Sequence, residues 1–201
     1  MGFGLIFLGW STLLFLKVAP LGIVGCILMS KGFEKLSGYN KYFASAKHLC
    51  DGFLVYFILY GLLWALDFSG FYPFNNTTVY IDQFFYYTIL CVFSVYLYKG
   101  LGDISKLVGF DKGIMREKRA ISIVVVFVLF TVAKILLAPL GFSVYLELPL
   151  VVFELLWLIY SAVYIYSCYM MIATQEIIDD ENRKMREYDE KYSFRTKKTK
   201  K

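Results

Sequence analysis

Lys35-Leu36-Ser37-Gly38-Tyr39-Asn40-Lys41 recurs further along the chain as Lys106-Leu107-Val108-Gly109-Phe110-Asp111-Lys112. Both copies read K-L-x-G-aromatic-[N/D]-K. Each follows a Lys-Gly at the end of an apolar run (Lys31-Gly32, Lys99-Gly100) and leads into another such run. The repeated unit is therefore a helical hairpin: span, basic loop, span. A Gly ahead of an aromatic and an Asn or Asp reads as a turn in which Gly supplies a positive φ. The two copies run in the same direction, which makes them parallel and not inverted repeats.

The apolar runs around these loops set the class. A helix needs about 20 apolar residues to cross a bilayer core. Five segments meet that length, at about 3–29, 49–66, 81–98, 120–142 and 148–173. The expected fold is an all-α integral membrane helical bundle of five transmembrane helices, two tandem hairpins plus a fifth span. Residues 1–174 form this bundle. Residues 175–201 form a charged cytoplasmic tail, helical at first and disordered at its end. With 59% hydrophobic residues and 19% aromatics, the 201-residue chain is richer in apolar groups than soluble domains, where about half are apolar.

Charge sets the orientation. Of the 21 Lys and Arg residues, all but Lys17 and Lys134 lie in the first loop, the second loop or the tail. The segment 67–80 and the turn near 143–147 contain none. Basic residues beside membrane spans stay on the cytoplasmic side, which predicts N-out and C-in. The +5 net charge thus follows from topology and does not indicate nucleic-acid binding. Lys35, Lys41, Lys106 and Lys112 are expected to meet lipid headgroups, each contributing about 1 kcal/mol near an anionic surface.

Two lysines lie inside apolar runs. Lys17 precedes Pro20 and Lys134 precedes Pro139, and both sit roughly 20 Å from the inner boundary at 1.5 Å per residue. Asp67, Asp82, Glu147 and Glu154 approach the same level, with Glu154 deepest. Charges at such depth usually face the bundle interior and find partners. Glu154 with Lys134 is the natural pair, because the short turn makes the last two spans antiparallel neighbours. Snorkelling lysines or a helix-gluing ion pair account for this layer in structural terms. The functional reading is an outward-facing polar cavity.

Other chemistry is sparse. Cys26, Cys50, Cys91 and Cys168 are isolated, without metal-ligand spacing, and read as small apolar residues. His48 stands three residues before Asp51 and reads as an interfacial cap at the start of the second span. Asn75-Asn76-Thr77-Thr78 holds two overlapping sequons and reads as a polar turn. No nucleophile elbow, zinc-protease, Walker or Rossmann pattern occurs, so no catalytic residue, metal or cofactor is expected. In the tail, Asp180–Lys184 and Glu187–Lys191 make i, i+4 pairs, and the polybasic end suits anionic inner-leaflet lipids.

The opening Gly2-Phe3-Gly4-Leu5-Ile6-Phe7, the repeated loops and the charged tail together resemble small uncharacterised multi-pass membrane proteins of Gram-positive, clostridia-like bacteria. The resemblance implies a location in the plasma membrane and brings no activity, ligand or catalytic residue with it. The expected role is non-enzymatic, through lipid contacts, or through a protein partner or second copy docked on the tail. The alternative is a small transporter or channel built on Lys17, Lys134 and Glu154.

Overall fold

Pro20 and Asn40 mark where helices begin. Pro has no N–H to lose in the first turn of a helix, and in the computed structural model the helix Ala19–Leu36 starts there after an extended Val18. The Asn40 side chain accepts a hydrogen bond from the Tyr42 backbone N–H at 3.0 Å and so caps the helix that starts at Lys41. The structure describes residues 2–14, 18–38, 40–71, 76–107, 109–137 and 145–171. Six helices lie among them: α1 (Gly2–Leu13), α2 (Ala19–Leu36), α3 (Lys41–Phe68), α4 (Asn76–Leu107), α5 (Asp111–Leu137) and α6 (Tyr145–Met171). Helix α3, the Ile81–Leu107 part of α4, and α6 are long and apolar enough to cross a membrane.

The first expected span is not one helix. Residues 3–29 divide into α1 and part of α2, which pack antiparallel as a hairpin. A Cβ placed on Gly2 would lie 2.7 Å from the Gly32 carbonyl oxygen, and one on Gly25 would lie 2.8 Å from that of Gly9. The two backbones thus meet at glycines spaced seven apart on each helix, where side chains would hold them away. At 12 residues, α1 is about 18 Å long, well short of a hydrocarbon core of about 30 Å. Gly2 consequently stands at the same end of the bundle as the first basic loop. The expected N-terminus opposite that loop is corrected.

The remaining helices alternate in direction. Helix α2 runs against α3 through Cys26 and Cys50, where the Cys50 thiol donates to the Cys26 carbonyl at 3.3 Å. Helix α3 runs against α4, with Phe53 beside Tyr86 and Phe43 packed on Gly100. Helix α5 runs against both α4 and α6. Helix α4 is the hub: Phe93 stacks on Trp10 of α1 and meets Phe33 of α2 edge-on, while Tyr87 meets Phe127 of α5. Both basic loops join antiparallel helices, as the repeat predicts, yet their turns differ. Gly109 has φ 69° and closes α4, with Phe110 N–H bonded to the Ser105 carbonyl and Gly109 N–H to that of Lys106. Gly38 does not take a positive φ, and that loop is closed by the Asn40 cap instead.

Helix ends also depart from expectation. Asn76, Thr77 and Thr78 open α4 and do not form a loop tip. His48 is exposed in the interior of α3, two turns past the cap. Lys17, the turn residues 138–144 and the tail 175–201 lie outside the described residues.

Candidate functional site

The charged layer is built by α3, α4, α5 and α6. Glu154 is 3% exposed and Lys134 8% exposed, so both deep charges face protein. They do not pair with one another. Lys134 Nζ reaches Glu147 Oε1 at 3.4 Å, joining the last turn of α5 to the first turn of α6. Each charge there also complements its helix terminus, a cation near a C-terminus and an anion near an N-terminus. Glu147 is exposed, so a nearly buried ammonium is paired with a carboxylate that remains open to its surroundings.

Glu154 instead accepts a hydrogen bond from the Tyr87 hydroxyl at 3.0 Å, with Tyr86 buried beside it. Asp82 accepts one from Tyr56 at 2.6 Å, and Tyr60 stacks on the Tyr56 ring. Asp67 occupies the last turn of α3, where its carbonyl accepts the Gly70 N–H. Among the described contacts, Glu154 and Asp82 each meet a tyrosine hydroxyl and Glu147 meets Lys134. The tyrosines were not anticipated as partners.

Beneath Glu154 a polar seam follows the α4–α6 interface. On α4 it comprises Tyr87, Cys91, Ser94, Tyr98 and Ser105, and on α6 Glu154, Trp157, Ser161, Tyr164 and Cys168. The Trp157 indole N–H donates to the Tyr98 hydroxyl at 2.7 Å, and Tyr98 also bonds Ser161. Ser105 and Cys168 meet at 3.7 Å near the basic end. The α6 set advances in steps of three and four and the α4 set in steps of three, four and seven, the period of two helices packed side by side in the same direction. That period was the available signal.

At the basic end, Asn40 Nδ2 donates to Asp103 Oδ2 at 2.8 Å, and Lys106 pairs with Asp103 at 3.1 Å and with Glu117 at 3.8 Å. Lys106 is thus engaged by two carboxylates while its side chain stays exposed. Lys35, Lys41 and Lys112 are exposed. Arg116 bonds Ser167, and the Tyr164 hydroxyl donates to the Gly113 carbonyl at 3.1 Å, tying α5 to α6 at this end. Among the described residues no group of three or more His, Cys, Asp or Glu could hold a metal ion. A groove between the α1 end and α6, lined by Phe7, Leu14, Ile159, Ala162, Val163 and Tyr166, presents an apolar surface.

Fold and site together define an all-helical protein with three helices able to cross a membrane and a polar seam at its centre. The chain matches no protein-family model, no curated protein and no solved structure.

Proposed function

We propose that this is a non-enzymatic integral protein of a bacterial plasma membrane, acting through lipid and protein contacts. In this reading α3, α4, α5 and α6 cross the bilayer. Helices α1 and α2 form a re-entrant hairpin that enters and leaves on the cytoplasmic side. The basic loops, Gly2 and the tail then share the cytoplasm, where the tail is available to a partner, a second copy or anionic lipid. The observation that carries this reading is the exposed apolar surface of the helices that alternate in direction. Leu59 and Leu62 of α3, Leu129 of α5, and Leu156 and Val163 of α6 are all more than half exposed. In water such a surface would drive association; in lipid it is the ordinary outer face.

Single cysteines test the topology. A cysteine in a short N-terminal tag, Gly38→Cys, Phe71→Cys and Lys112→Cys are placed one at a time in an otherwise Cys-free chain, and intact cells are treated with an impermeant maleimide. Labelling at 71 alone is expected. Labelling of the tag as well as 71 would restore the N-out arrangement and refute the re-entrant hairpin.

The buried Glu154 carboxylate favours a second reading, a small transporter or channel. Proteoliposomes carrying the protein would then pass protons, sodium or potassium faster than empty ones, and Glu154→Gln would abolish the excess. An absence of flux with folded wild-type protein removes this reading.

A further inference from the structure

Two lysines from different helices converge on one aromatic ring. Lys41 Nζ, at the start of α3, lies 5.5 Å from the Tyr42 ring centroid, and Lys99 Nζ of α4 lies 5.7 Å from it. Tyr42 is half-buried against Tyr96 of α4, with centroids 6.4 Å apart, so the ring is a fixed element of the α3–α4 contact. Phe43 packed on Gly100 holds the two backbones close at the same level. Both lysines are exposed, and among the described residues neither makes an ion pair. The nearby carboxylates are already committed: Asp103 to Asn40 and Lys106, and Glu117 to Lys106.

We infer that Lys41, Lys99 and Tyr42 form a binding site for the phosphate of an anionic phospholipid in the inner leaflet. The inference rests on the membrane reading above, which puts this end of the bundle at the cytoplasmic interface. The chemistry fits a phosphate diester. Each ammonium is a compact charge with three donors, and an aromatic ring with a polar edge is at home at headgroup level. Convergence on a packed ring restricts both stems before the ligand arrives, which lowers the ordering cost of binding. The site also departs from the symmetry of the repeated loops. Repetition pairs Lys41 with Lys112, whereas the fold brings Lys41 and Lys99 to one ring and engages Lys106 with Asp103 and Glu117.

The test compares two double variants of the full chain, K41Q/K99Q and K31Q/K118Q, which remove the same charge from exposed positions at the same end. Binding of phosphatidylglycerol and phosphatidylcholine to the detergent-purified proteins is titrated by native mass spectrometry. Roughly tenfold weaker phosphatidylglycerol binding is expected for K41Q/K99Q, with little change for K31Q/K118Q. Equal losses in the two variants, or none in the first, would overturn the site. Inorganic phosphate is titrated in parallel. If the wild type binds it as tightly as phosphatidylglycerol and K41Q/K99Q loses both, the site belongs to a free phosphate ligand and the lipid assignment fails. Alkaline carbonate extraction of wild-type membranes separates the two levels. Release of the protein refutes the membrane reading, whereas retention with unchanged lipid binding by K41Q/K99Q refutes the lipid site alone.

Discussion

Tyr98 shows how a single side chain joins helices in this bundle. Its hydroxyl bonds Ser161 and receives the Trp157 indole N–H, and its ring lies 6.1 Å from that of Tyr164. All four residues are buried, so the Trp157 donor has no water to fall back on. Tyr98→Phe leaves that donor unsatisfied, at a cost of about 1 to 2 kcal/mol. The melting temperature in detergent should fall measurably, while Tyr166→Phe, on an exposed ring, should leave it unchanged. At this scale the deep charges were legible: a Lys or Glu within an apolar run announces itself, and Glu154 and Lys134 are indeed buried. Their partners were not. Lys134 bonds Glu147 because its flexible stem reaches the more exposed carboxylate. Glu154 is met by Tyr87, one of many tyrosines that composition alone does not distinguish.

At the scale of the element, the α1–α2 hairpin depends on glycine. Gly2 and Gly9 on one helix face Gly32 and Gly25 on the other, close enough that a Cβ would strike a carbonyl oxygen. In lipid, where apolar surface gains little from burial against apolar surface, such close backbone packing is a main source of helix association. Gly32→Leu should destabilise the protein by about 2 kcal/mol or more through overpacking, read as a lower melting temperature and poorer yield. Gly52→Ala is the control, since a Cβ there meets nothing within 4 Å and Ala favours the helix, so the melting temperature should hold or rise slightly. Hydropathy read this element as one span because α1 and α2 are both apolar. The break lies before Pro20, and the glycine spacing on either side carried the signal for a fold-back.

Across the whole molecule, the hairpin changes the parity of the chain. Gly2 packs at Gly32 and Leu36, beside the first basic loop, and every described cluster of lysine and arginine collects at that end of the bundle; in the proposed reading the chain makes one fewer crossing. That arrangement satisfies the positive-inside tendency as well as the five-span reading does, which is why charge counting did not separate them. The maleimide experiment does, because only the N-terminal end changes sides. The repeat also acquires a structural meaning at this scale. Its two hairpins pack side by side through α3 and α4, and Asn40 of the first copy bonds Asp103 of the second. The copies are not interchangeable, since one turn closes on Gly109 and the other on the Asn40 cap.

By itself the sequence determined the helical class, the places where basic loops interrupt apolar runs, and the burial of Lys134 and Glu154. Each of these is a property of a residue and its near neighbours along the chain. The tertiary structure alone decided that the first apolar segment folds back, that Lys134 turns toward Glu147, and that Lys41 and Lys99 both approach the Tyr42 ring. The physical reason is that each depends on the distance between residues far apart in the chain. A glycine invites close packing only when a second backbone arrives, and a lysine chooses its partner by reach.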